Sequence, residues 1–234
     1  YLQKEWTENG RKYFHYKMED KMLNFYNIMS AEYEMISEEH EGITIQIFYH
    51  QPHDYNLDRM MEGTKKALSY YQENFSPYQF KQLRILEFPS TYGSFAQSFA
   101  NTVPFSEAIG FVADVDEEND GVDYPFTVTA HEVAHQWWAH QVIGANVQGS
   151  TLMSESLSEY SSLKVLEQRY GDKKMRRFLK DALDSYLRGR RFERQKEQPL
   201  LYNENKSYIH YNKGSLVLYA LSDYIGTKKF NNIL

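Results

Sequence analysis

Residues 131–141 read HEVAHQWWAHQ, and no other stretch limits the folds open to this chain as much. From Pro125 the segment runs without a breaker to Gly144, so the pattern predicts one helix opened by the proline and closed by the glycine. On that helix His131 and His135 stand four residues apart. At about 100° per residue they project from nearly the same face, one turn apart, where two imidazoles can hold one metal ion. Glu132 lies one residue on, where it cannot easily meet the same ion head-on but can reach a water bound to it. His140 falls on roughly the opposite side and reads as structural or solvated.

The motif alone also fits a surface helix with stray histidines. Its neighbours weigh against that reading: Val133, Ala134, Trp137 and Trp138 make the helix too apolar for solvent on all sides. Buried imidazoles want a partner, and a metal is one. The chain has no cysteine, so any metal must rest on histidine and carboxylate. A catalytic zinc site takes three protein ligands and leaves one position to water. SESLSEY at 154–160 supplies a candidate third ligand: Glu155 and Glu159 are four apart and face one way. Glu155 would ligate, and Glu159 would orient a ligating imidazole through its second nitrogen. The bland alternative is a solvated pair on an amphipathic helix.

Around this centre the chain divides in character. Strands are expected at Lys12–Met18, Phe25–Met35 and Ile43–His50, the last from its strict alternation, and again at 82–88, 94–101 and 108–114. A helix should follow Asp54, with Leu57, Met60, Met61, Thr64, Leu68, Tyr71 and Phe75 on one face. DVDEENDGVD at 114–123 reads as an acidic loop without the spacing of an EF-hand. From Asp123 onward helices dominate: one from about Leu152 to Gly171, one from Asp172, and one from near Tyr211 to Gly226. RFERQKE at 191–197 mixes both signs and reads as a solvated loop. Strands first and helices second imply an α+β class. A net charge of −6 without a basic block argues against nucleic acid. No apolar run approaches the roughly 18 residues of a membrane span, and no signal peptide opens the chain. Both ends read as cuts through ordered sequence, as expected of a piece of a longer protein.

VTAHEVAHQWWAHQV resembles the zinc helix of the aminopeptidase N family of metallopeptidases, the gluzincins, and YIHYNKGSLVLYAL at 208–221 resembles that family's Tyr-x-Lys-Gly segment. The resemblance implies a thermolysin-like zinc peptidase domain over residues 52–234, truncated at its C-terminal end. Residues 1–51 would then be the end of a β-rich N-terminal domain. It implies one zinc ion on His131, His135 and Glu155, with Glu132 as general base. Tyr211 would be the transition-state donor, with Tyr208 as the fallback. A peptide would be the substrate. More narrowly, VAHQWWAHQV, SESLSEYS and YIHYNKGSLV resemble bacterial peptidase domains joined to transporter-permease segments. That implies a membrane-associated parent protein with this domain outside the bilayer.

Two departures qualify the resemblance. The interval between His135 and Glu155 holds 19 residues, one more than is usual in the family. The region corresponding to the family's Gly-Ala-Met-Glu-Asn strand, whose glutamate holds a substrate's free amine, is SFAQSFANTVPFSE at 94–107. Ala100 is expected where that glutamate should be, Asn101 is the one identity, and Glu107 is the nearest carboxylate. Aminopeptidase-like hydrolysis therefore competes with an endopeptidase of thermolysin type, with a non-catalytic zinc-bound interaction domain of a membrane assembly, and with hydrolysis of a sugar, lipid or epoxide on the same scaffold.

Overall fold

The computed structural model describes residues 1–116, 122–204 and 206–234; most of the acidic loop, 117–121, lies outside the described residues. The chain opens on an exposed antiparallel hairpin of β1 (Leu2–Glu8) and β2 (Arg11–Tyr16), turned at Asn9–Gly10 with positive φ at both. Asn-Gly tolerates that backbone, which matches the twist of the flanking strands. The strand expected at Lys12–Met18 is thus β2, shifted slightly toward the N-terminus.

A second sheet has the order β3-β4-β5-β6 and is built from β3 (Glu34–His40), β4 (Ile43–Tyr49), β5 (Gln82–Phe88) and β6 (Thr102–Ser106). β3 runs antiparallel to β4, and β4, β5 and β6 are parallel. The alternation in β4 reads out as expected: Ile43, Ile45, Ile47 and Tyr49 are buried and the residues between them less so. Leu83 and Ile85 of β5 join them, each fully buried apolar side chain contributing about 1.5–3 kcal/mol relative to exposure. The expected domain division after residue 51 falls between β4 and the next helix, and the sheet continues across it through the β4–β5 pairing.

Three expected strands are not strands. Residues 25–33 are irregular and β3 begins only at Glu34. The aromatic residues there dock singly: Phe25 stacks on Phe99 at 4.4 Å, and the Tyr33 hydroxyl donates to the Glu87 carbonyl at 2.9 Å. Residues 94–101 instead fold back along β6, touching it at the bridges Ala96–Phe105 and Phe99–Thr102. Asn101 takes a φ of 55° at the reversal, a left-handed conformation that asparagine accepts better than most residues. At 108–114 the chain turns rather than extends, and Phe111 is buried beneath.

α1 (Leu57–Asn74) makes the crossover between the parallel strands β4 and β5, as parallel pairing requires. Its expected face is buried through Leu57, Met60, Met61, Thr64, Leu68 and Tyr71. α2 (Tyr124–Ala134) packs on α1 and on α3 (Leu157–Arg191), which also contacts α4 (Gly214–Ile225); α5 (Thr227–Asn231) follows. The break expected at Gly171 is a kink inside α3, where the glycine has φ 69°. The 191–197 loop is not merely solvated: Glu193 pairs with Lys206, and Glu197 meets Lys213 and the Tyr186 hydroxyl. Among the described residues no helix is long and apolar enough to cross a membrane.

Candidate metal centre

Asp123 starts the helix that carries the His-Glu-x-x-His motif. Its carboxylate accepts the Phe126 backbone N–H at 3.0 Å, capping α2, and Pro125 lies in the first turn. The other Asp123 oxygen accepts from Arg59 of α1 and from the Tyr170 hydroxyl of α3, both at 2.8 Å. One side chain thereby fixes α2 against both of its neighbours.

The helix ends earlier than its sequence suggests. Ala134 is its last residue and His135 its cap, and the chain turns from there instead of continuing to Gly144. Tertiary partners override the helical pattern. The Trp137 indole donates to the Ser76 carbonyl and the Trp138 indole to the Ser161 hydroxyl, each at 2.9 Å, on separate elements. The Gln136 amide donates to Ser98 Oγ at 2.7 Å and to the Phe99 carbonyl at 2.8 Å. Its oxygen accepts the Asn101 N–H at 2.8 Å. His140 is structural: it is buried, with Nε2 3.3 Å from the Ser98 carbonyl.

His131, Glu132 and His135 are all buried, and their ligating atoms lie within 4.8 Å of one another. The two Nε2 atoms are 3.0 Å apart. Glu155 Oε2 stands 3.5 Å from each, at the free corner of that triangle. Ligands held about 2.0–2.1 Å from a tetrahedral zinc ion stand about 3.4 Å from one another. The three atoms therefore fit such an ion. Glu155 Oε2 and Glu132 Oε2 are buried without hydrogen-bond partners, as donor atoms awaiting a cation would be. Two carboxylates compete for the third ligand position. Glu155 is the better choice, because one of its oxygens is equidistant from both imidazoles, whereas Glu132 shares their helix and approaches from the side.

Electrostatics agree with a seat for positive charge. Burial pulls the His131 imidazole down, but Glu155, Glu159 and Glu132 more than reverse this and raise it to about 10. Burial pushes Glu155 up, and the two facing imidazoles hold it well below the usual carboxylate range. Glu132 is raised by burial, with His135, His131 and the Ser98 backbone N–H pulling the other way.

The imidazoles are held from behind. Glu159 Oε2 is 2.7 Å from His131 Nδ1, an ion-pair distance out of line for a good hydrogen bond. Ser158 Oγ is 3.0 Å from His135 Nδ1, and the Trp138 carbonyl is 3.2 Å from the same nitrogen. Glu155, Ser158 and Glu159 share one face at helical spacing, which is the signal that would have found Ser158.

Both Glu155 and Tyr211 ride on π-helical turns, Leu152–Ser156 and Tyr208–Lys213. Such turns hold more residues than an α turn and cluster at functional sites. The first closes the 19-residue interval between His135 and Glu155. The second presents Tyr211, whose ring centroid is 5.7 Å from that of His131. Burial raises the Tyr211 phenol, and the charge of Glu155 raises it further. Tyr208, the fallback, is directed elsewhere and stacks on Tyr186.

Segment 94–101 offers no carboxylate to this centre; its Ser98 backbone N–H lowers the Glu132 carboxyl. Glu107 is engaged instead by Ser90 and His53.

The pattern of the Peptidase family M1 domain matches residues 59–234. A curated relative, described as probable aminopeptidase 1 of Sulfurisphaera tokodaii, is 26% identical over 181 residues, which are 73% of this chain and 22% of the relative. Among solved structures, the fold is similar to that of an M1 zinc metallopeptidase from Deinococcus radiodurans in mutant form, with a TM-score of 0.68 and 16% identity over 99% of this chain and 50% of that one. The same mutant bound to a Tyr-Ser-Ala substrate gives a TM-score of 0.69 at 18% identity, with the same coverage. The chain therefore spans less than a quarter of the curated relative and half of each solved chain.

Proposed function

Since the chain belongs to peptidase family M1, we propose that it is the catalytic part of a zinc-dependent peptidase that removes residues from the amino-terminal end of peptides. The observation that carries this reading is the meeting of His131 Nε2, His135 Nε2 and Glu155 Oε2 within 3.5 Å, beside the unpartnered Glu132 oxygen. A structural zinc site has no use for that extra carboxylate, which disfavours a purely interaction-based role.

In this reading His131, His135 and Glu155 hold one zinc ion, which when bound supplies a Lewis acid and an activated water at neutral pH. Glu132 accepts the proton of the attacking water and delivers it to the departing amine. Its burial favours this role, because desolvation raises the carboxyl from its ordinary range and makes it the stronger base. Tyr211, kept as a neutral phenol, donates a hydrogen bond to the oxyanion that forms at the attacked carbonyl. Glu159 and Ser158 keep the two imidazoles aimed. The narrower resemblance noted above supports a parent protein in which membrane-spanning segments flank this domain, itself outside the bilayer.

Specificity for a free amine draws support from the description of the curated relative as a probable aminopeptidase. Against it stands the carboxylate-free segment 94–101, which favours an endopeptidase. Matched peptides with free and acetylated amino termini decide between the two. Selective release of the first residue from the free series upholds the proposal. Equal internal cleavage of both series replaces it with the endopeptidase, and no zinc-dependent cleavage of either ends the peptidase reading.

A further inference from the structure

The carboxyl ends of the parallel strands gather a second group of metal-ligating side chains. His50 follows β4, Glu87 is the last residue but one of β5, Glu107 follows β6, and His53 lies in the connection to α1. Crevices at such strand ends are common ligand positions in open sheets. None of these four residues takes part in the centre at His131 and His135.

We propose that His53, Glu87 and Glu107 form a second site for a divalent ion of the zinc type, one that ties the sheet to the entrance of α1. Their ligating atoms lie within 4.8 Å of one another. The orientation of the two carboxylates is the stronger argument. Glu87 is fully buried, and its Oε2 accepts the His50 backbone N–H at 2.5 Å and stands 3.1 Å from His50 Nδ1. Its other oxygen, Oε1, is hydrogen-bonded to His53 Nδ1. Glu107 repeats the arrangement. Its Oε1 accepts from the Ser90 N–H at 2.9 Å and the Ser90 hydroxyl at 2.7 Å, while Oε2 stands 3.8 Å from the same His53 nitrogen.

Each carboxylate thus has one oxygen tied back by a backbone or serine donor and one turned toward His53 Nδ1. Outer partners orient metal ligands in the same way. The Ser90 backbone N–H and hydroxyl also hold Glu107 below its ordinary range, so it stays ionised. Two carboxylates beside one imidazole, one carboxylate wholly out of water, gather negative charge that a divalent ion would offset. The His53 and Glu107 side chains remain 28% and 23% exposed, leaving a side on which water completes the coordination. A nitrogen and two oxygens, with no sulfur, suit zinc and its first-row neighbours.

The contacts of Glu87 with His50 and His53 also serve these carboxylates without an ion, and metal analysis separates the two arrangements. The full chain carrying His131→Ala and His135→Ala, which dismantle the first centre, is equilibrated with Zn2+, dialysed and assayed for zinc per protein. One equivalent is expected, against two in the unaltered chain. Adding His53→Ala or Glu107→Gln should lower it at least tenfold. His53→Ala in the otherwise unaltered chain should retain a single equivalent, which shows that the variant folds. Absence of zinc from the His131→Ala/His135→Ala chain with unchanged circular dichroism, or a stoichiometry indifferent to His53→Ala and Glu107→Gln, overturns the proposal. Failure of the peptidase reading would look different: one equivalent in the unaltered chain that survives His131→Ala/His135→Ala.

Discussion

The Ser156 hydroxyl donates to the His210 carbonyl across 2.8 Å, joining the turn that carries Glu155 to the turn that carries Tyr211. Gly214 lies against the same serine. A Cβ built there would stand 2.2 Å from Ser156 Oγ and 2.7 Å from its Cβ. The two π-helical turns can come together because the residue that follows one of them, Gly214, has no side chain.

Gly214→Ala should therefore force these turns apart. Overpacking of this kind costs about 1–3 kcal/mol. A lowered thermal midpoint together with a reduced kcat is expected, measured by calorimetry and steady-state hydrolysis on one preparation. An alanine variant with the parent's stability and rate would show that the contact is not a constraint.

Glu132→Gln should keep its zinc and lose peptidase activity by a factor on the order of 10² or more, since the amide cannot accept the proton of water. Metal content and turnover must be read together. Parent-like turnover would remove Glu132 from the role of base.

Glu155→Ala and Tyr211→Phe should separate binding from chemistry. The first should release zinc, by loss of the carboxylate equidistant from both imidazoles. The second should leave metal content unchanged and lower kcat by about 10²–10³, the range seen when one oxyanion donor is removed. Zinc loss in Tyr211→Phe would mean that the phenol supports the ligands instead.

Glu159→Gln should weaken zinc affinity by about 10–100-fold, because it removes the charge 2.7 Å behind His131 Nδ1. Competition with a chelator of known affinity measures this directly.

Asp123→Ala should destabilise the fold without touching the metal ligands. It deletes a helix cap, worth about 0.5–2 kcal/mol, and the partners of Arg59 and Tyr170 with it. Denaturant unfolding that showed no loss would contradict the role given to this residue.

Where a periodic pattern coincided with burial, the chain could be read directly. The alternation of β4, the apolar face of α1 and the four-residue step from His131 to His135 all report local geometry. Elsewhere the determinants are tertiary. Phe25 and Tyr33 look like strand residues but dock singly on Phe99 and Glu87. Segment 94–101 is expected to be a strand, yet Asn101 turns it back along β6. The end of α2 follows from where Gln136, Trp137 and Trp138 find partners, which no local pattern encodes. The π-helical turns were equally hidden, since their extra residue leaves helical spacing nearly intact.

Gln136, the neighbour of His135, grips the backbone around Ser98, Phe99 and Asn101 with both ends of its amide. In the proposed reading, in which a substrate lies against this segment, that wall is bolted to the helix that positions the imidazoles. Reshaping that wall to admit a different peptide drags on the metal seat, so a new preference should be easier to reach through side chains pointing outward from the segment than through changes in its path.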